Sequence, residues 1–136
     1  MNLVVDTSVW SLVLRRPRVE ETNRYVRAFR AHIEGGDGVF LIGSILQELL
    51  DGIRDKKDFD RLKNLLRPVP LVILGRGTFV AAAELRQRCR SKGIKVGPVD
   101  CLIAAACIQE GYPLLTADRD FAHMARYCDL VVLDPT

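Results

Sequence analysis

Short, uninterrupted apolar runs alternate along this chain with longer stretches in which apolar residues recur every three or four positions. The first run, residues 2–5 (NLVV), stops at Asp6. Comparable runs occupy 39–42 (VFLI), 69–74 (VPLVIL) and 113–116 (PLLT), and DLVVLD at 129–134 is the last. Runs of this length without in/out alternation predict strands buried on both faces. Pro70 marks the third as an edge or a strand start. Between the runs the periodicity predicts helices. Thr7 or Ser8 can cap a short one reaching Leu14, ahead of Pro17. A second fits residues 20–34 and ends at Gly35-Gly36. A third begins at Ser44, which stands at capping-box spacing from Gln47. Others fit 56–66 with Asp55 as cap, 77–91, 99–110 closed by Gly111, and the short segment DRDFAHMARY. Apolar strands alternating with helices predict a parallel sheet between helical layers, a three-layer α/β/α fold.

Composition narrows the class. A chain of 136 residues, 49% hydrophobic and 27% charged, matches one globular domain and excludes disorder. No apolar run approaches the roughly 18 residues of a membrane span. The N-terminus, MNLVVDTSVW, lacks the basic lead-in of a signal peptide, so a cytoplasmic location is expected. The cysteines at 89, 101, 107 and 128 show no C-x-x-C spacing and no paired histidines, which argues against structural zinc and for reduced, mostly buried thiols. The two histidines, His32 and His123, lie far apart and give no sign of a histidine-based hydrolase.

The net charge of +3 is compatible with nucleic acid without being diagnostic of it. Its distribution says more. One basic run comprises Arg86, Arg88, Arg90, Lys92 and Lys95; another comprises Arg15, Arg16, Arg18, Arg24, Arg27 and Arg30. The plain reading of such runs is a solvated helix face. They gain a second meaning only beside an anion-handling site.

Acids supply that site. In an open parallel sheet, ligands bind beyond the carboxyl ends of the strands. Asp6 ends the first strand, and Asp118 lies just beyond the run at 113–116. Glu48 sits in the helix after the second strand, and Asp100 opens the helix after KVGP. Each has a simpler role available as a cap, a turn residue or a solvated helix residue. Convergence would make the simple roles insufficient. Two carboxylates about 5 Å apart repel by roughly 3 kcal/mol at an effective dielectric near 20. Several together would consume a sizeable share of a domain's typical stability of about 5–15 kcal/mol. Protons or a divalent cation must offset such a cluster, and oxygen donors suit magnesium or manganese.

The segments V-V-D-T-S at 4–8, L-Q-E-L-L around Glu48, V-D-C-L-I-A-A-A at 99–106 and L-L-T-A-D-R-D-F at 114–121 resemble the PIN domain. More narrowly, they resemble the VapC-type toxins of bacterial and archaeal toxin–antitoxin pairs. The resemblance spans the chain, with the four segments in the family's order, and implies a single PIN-like domain over 1–136. It also implies a Mg2+- or Mn2+-dependent endoribonuclease in which metal-activated water hydrolyses RNA, leaving a 5′-phosphate and a 3′-hydroxyl. By that resemblance Asp6, Glu48, Asp100 and Asp118 are the catalytic, metal-holding acids. Thr7 or Ser8, and Thr116, match hydroxyls that orient the site, and Asp120 matches a further, supporting acid. Arg86, Arg88, Arg90, Lys92 and Lys95 would then hold the RNA backbone. A VapB-type antitoxin and a homodimer are the implied protein partners. Trp10, Leu12 and Leu14 are candidates for such contacts, although core packing is the simpler role for Trp10.

Rival readings fit less well. A phosphoacceptor receiver domain needs paired acids after the first strand, an acceptor aspartate after the third and a late lysine. Here the first strand is followed by D-T-S, the third by G-R-G, and no lysine follows Lys95. A haloacid-type phosphatase needs D-x-D where position 8 is serine. A non-catalytic PIN-like module that binds RNA or protein is the remaining alternative, and it gains nothing from four repelling acids.

Overall fold

A computed structural model of the chain describes residues 1–14 and 23–135. The element order is β1 (Asn2–Val5), α1 (Thr7–Val13), α2 (Arg24–Glu34), β2 (Gly38–Phe40), α3 (Gly43–Asp51), α4 (Lys56–Leu66), α5 (Arg76–Ser91), α6 (Pro98–Glu110), β3 (Leu114–Leu115), α7 (Arg119–Met124) and a 3-10 turn (Ala125–Tyr127). The strands are parallel in the order β2-β1-β3. Val4 of the central strand faces Phe40 on one side and Leu114 on the other. Leu3, Val4 and Val5 are fully buried, which accounts for the apolar run without alternation. Helix α1 packs on α2 and α3, while α5 lies along α6. These helical groups and the sheet make up the three-layer α/β/α fold.

Two of the expected strands shrink to single parallel bridges, Leu41 with Leu71 and Leu114 with Val132. At 69–74 the cause is proline: Pro68 and Pro70 carry no N–H to donate to a ladder. The segment is held partly from the side instead, by Gln109 Nε2 donating to the Ile73 carbonyl at 3.0 Å. At 129–134 the neighbouring strand β3 is only two residues long. Val131 and Leu133 therefore bond the backbone of Leu114 alone, at 2.8 and 2.9 Å.

Caps also differ from expectation. Asp6, not Thr7 or Ser8, caps α1. The Ser44–Gln47 capping box does not form: α3 begins at Gly43 without a side-chain cap, and the Ser44 hydroxyl is buried without a partner. Asn23 caps α2 through the Tyr25 and Val26 N–H groups at 2.9 and 3.3 Å. Residues 20–22 of the expected helix lie outside the described residues, as do Arg15, Arg16 and Arg18. Asp55 caps α4 as expected. Helix α6 opens on Pro98 and closes on Gly111, whose φ of 70° is the left-handed conformation that glycine tolerates. Trp10 is buried and meets the Phe29 ring edge-on at 5.3 Å. It is a core residue that joins α1 to α2, unavailable as an exposed contact. His32 Nδ1 lies 2.7 Å from the Asp37 carboxylate, which also takes the N-terminal ammonium at 3.0 Å. No described helix is long and apolar enough to cross a membrane.

Candidate active site

With β2 and β3 on opposite sides of β1, the connections leaving the carboxyl ends of β1 and β3 diverge. Sheets of this kind bind ligands in the crevice at such a divergence, beyond the carboxyl ends of the strands. Asp6 follows β1 directly, and Thr116 and Asp118 follow β3. Asp100 enters from the first turn of α6. Glu48 comes from α3 and is exposed.

Asp6 is held rigidly at the bottom. It is only 6% exposed, and its Oδ2 accepts from the Ser8 hydroxyl at 2.7 Å and the Thr116 hydroxyl at 2.9 Å. The Ser8 N–H adds a long bond of 3.4 Å to the same oxygen. Both hydroxyls are in turn tied to the strand β3 exit. The Ala117 N–H donates to Ser8 Oγ and the Asp118 N–H to Thr116 Oγ1, each at 3.0 Å. This network fixes the Asp6 carboxylate and leaves its Oδ1 without a hydrogen bond among the described residues. Of the two hydroxyls expected near Asp6, Ser8 makes the contact, while Thr7 Oγ1 is buried without a partner.

Asp118 caps α7 through its Oδ1, which accepts from the Asp120 N–H at 2.9 Å. Cap and site residue are therefore compatible roles, because each carboxylate has a second oxygen to offer. The acids converge, and Asp100 registers it. Burial, and then the charges of Asp118, Asp6, Asp120 and Glu48 in decreasing order, push its carboxyl up to about 6. The closest group is Asp100, Asp118 and Asp120, whose carboxylate oxygens lie within 4.8 Å of one another. Asp120 thus stands with the principal acids by position, whereas Glu48 is the outermost member. The signal for Asp120 was in the sequence: D-x-D at the start of a helix puts two carboxylates in one helical turn.

Among the described residues no lysine, arginine or histidine forms an ion pair with any of the five acids. A set of oxygen donors, crowded and without paired cations, fits a hard divalent ion such as magnesium or manganese. Thiolate and imidazole donors are absent from this set. The buried Cys107 thiol is pushed up to about 12, chiefly by burial and further by the Asp6 charge, and stays protonated.

The expected basic residues separate. Arg86 and Arg90 share one side of α5 with Lys95 in the following loop. Arg88 points elsewhere and donates to the Tyr127 carbonyl at 3.1 Å. Lys92 is the exposed cap at the end of α5.

The family model described as PIN domain matches residues 3–127. The chain belongs to the PIN-domain family. Ribonuclease VapC11 of Mycobacterium tuberculosis is 28% identical to this PIN domain over 130 residues, covering 94% of this chain and 95% of the relative. The crystal structure of VapBC2 from Rickettsia felis bound to a DNA fragment from their promoter matches with a TM-score of 0.76 at 18% identity, over 98% of both chains. VapBC-1 from nontypeable Haemophilus influenzae matches with the same TM-score of 0.76 at 14% identity, over 99% of this chain and 98% of the other. These structural matches extend the PIN fold over nearly the whole chain.

Proposed function

We propose that this PIN domain is a metal-dependent endoribonuclease, the toxin of a VapBC-type toxin–antitoxin pair acting in the cytoplasm. One observation carries the chemistry: five carboxylates from four segments of the chain crowd together, with the Asp100 carboxyl raised to about 6 by burial and then by the charges of the others. Similarity to VapC ribonucleases supports the choice of RNA. The VapBC complexes among the structural neighbours support an antitoxin partner. A homodimer of the 1–136 domain belongs to the same proposal.

Asp100, Asp118 and Asp120 would hold a magnesium or manganese ion, with Asp6 Oδ1 and Glu48 completing the donor set. Such an ion, when bound, neutralises charge growing on the phosphate oxygens and acidifies water. The protein's own part is orientation. Ser8 and Thr116 lock the Asp6 carboxylate in one rotamer before substrate arrives, so no reorganisation is needed during the reaction. Glu48, which is exposed, or Asp118 would orient an attacking water. No histidine or thiolate takes part.

The test is cleavage of total cellular RNA by purified, antitoxin-free protein with magnesium or manganese, then with EDTA, beside Asp100→Asn. Discrete cuts that need the metal and disappear in the variant are the expected result. A folded, metal-loaded protein that leaves RNA intact would refute the nuclease and favour a non-cutting PIN-like binding module.

A further inference from the structure

We propose that Arg86, Arg90 and Lys95 form a track for the backbone of a single RNA strand leading into the acidic crevice, and that Arg88 takes no part in it. The inference rests on the ribonuclease reading and names how the substrate enters. Arg86 and Arg90 are four residues apart on α5 and share a face, whereas Arg88 lies roughly half a turn round from both. The basic run is thus two surfaces rather than one.

The two surfaces differ in charge. Arg86, Arg90 and Lys95 line a groove of about 420 Å³ whose remaining walls are Gly93, Ile94, Val96 and Gly97, with no acid among them, while on their other side Arg86 and Arg90 also border Glu84. Arg88 instead borders a larger cavity of about 740 Å³, where it and Arg126 are matched by Glu84 and Asp129. A polyanion is favoured by the first surface and finds no net charge on the second. Among the described residues, none of Arg86, Arg90 and Lys95 is engaged in an ion pair.

The groove is also built and correctly placed. Arg86 is half-buried and its Nε donates to the Val96 carbonyl at 3.1 Å. That bond fixes the plane of the guanidinium and ties down the loop, leaving the terminal NH groups for a phosphate. A side chain added at Gly97 would meet nothing within 4 Å, so the groove floor there is open backbone. From Gly97 the chain enters α6, and Asp100 lies three residues on. That is about 5 Å of helix rise. The groove wall at Gly97 therefore lies within one helical turn of Asp100 along the chain. At about 420 Å³ the groove has room for one backbone and not for a duplex.

The test is binding of a short fluorescent single-stranded RNA by anisotropy, across a KCl series with magnesium present. Every protein carries Asp100→Asn so that the strand stays intact. At about 0.7 of salt slope per phosphate contact, R86Q/R90Q/K95Q should lower the slope of log K against log[salt] by about 2 and weaken binding roughly ten- to hundredfold near 0.15 M. R90Q/K95Q, which spares the Val96 tie, should lower the slope by about 1.4. R86K keeps the charge but loses the planar fork, and should weaken binding without changing the slope. R88Q should bind as the parent does. Equal loss in R88Q and R90Q/K95Q, or no loss in either, would overturn the track. Cleavage of total RNA by the unaltered protein is scored separately. Cutting without groove dependence removes only the track, and groove-dependent binding without cutting removes only the nuclease. Absence of both cutting and groove-dependent binding removes both.

Discussion

Replacing Asp100 by asparagine should stabilise the metal-free protein. Its carboxyl is raised from 3.8 to about 6, so folding opposes ionisation of this group. A shift of about 2 units corresponds to roughly 3 kcal/mol of penalty on the ionised, folded state. The side chain is only partly buried, and solvent screening reduces this to about 1–2 kcal/mol. The sign follows from linkage. Below pH 3.8 the group is protonated in both folded and unfolded chains, and there is no penalty. As pH rises from 3.8 to about 6, the unfolded chain releases its proton first and the folded state loses stability relative to it. Above that range the full penalty applies. Asparagine removes it at every pH, so the advantage of the variant should be absent near pH 4 and complete by pH 7. For a chain of 136 residues, about 1–2 kcal/mol shifts Tm by about 3–7 °C. Thermal melts in EDTA across that pH range measure it. Added magnesium should then raise the Tm of the unaltered protein and leave the variant nearly unmoved, since bound ligand stabilises by mass action. An Asp100→Asn variant that is no more stable at pH 7 without metal, or whose advantage persists undiminished at pH 4, would refute this penalty.

Two further outcomes follow from the hydrogen bonds and the thiols. Thr116→Val keeps the shape of a buried residue but deletes a donor to the Asp6 carboxylate and the acceptor for the Asp118 N–H. Urea unfolding should show a loss of about 2–3 kcal/mol, together with a large drop in RNA cleavage; a loss under about 0.5 kcal/mol would mean that water replaces the hydroxyl. In native protein near pH 8, iodoacetamide should modify Cys128 alone. Cys89, Cys101 and Cys107 are buried, and desolvation pushes the last two to about 11 and about 12. Mass spectrometry showing rapid double or triple labelling of folded protein would contradict that burial.

Much of the site was legible because its residues stand where local rules put them. An acid that ends an apolar strand, as Asp6 does, lies at the carboxyl edge of a parallel sheet whatever the neighbouring strands are. Asp100, one turn inside a helix announced by Gly97-Pro98, could likewise be placed without coordinates. Sequence spacing locates Asp120 on its own element and says nothing of its distance to another. Only the juxtaposition of α6 and the β3–α7 turn puts its carboxylate with those of Asp100 and Asp118. The failed capping box at Ser44 has the same origin. A local pattern predicts a local bond, but the N-cap of α3 falls at Ile42, two residues before Ser44.

The sequence by itself determined the alternation of buried strand and amphipathic helix, the fold class and the four segments that carry the acids. These depend on periodicity and on chemistry within a few residues, and both can be read in one dimension. The tertiary structure decided which strands pair for more than one residue and which hydroxyl reaches Asp6. It also decided which acids lie closest and which side of α5 each arginine faces. Those are set by distances between elements far apart in sequence, where a rotation of one helix by half a turn moves a charge from one groove to another.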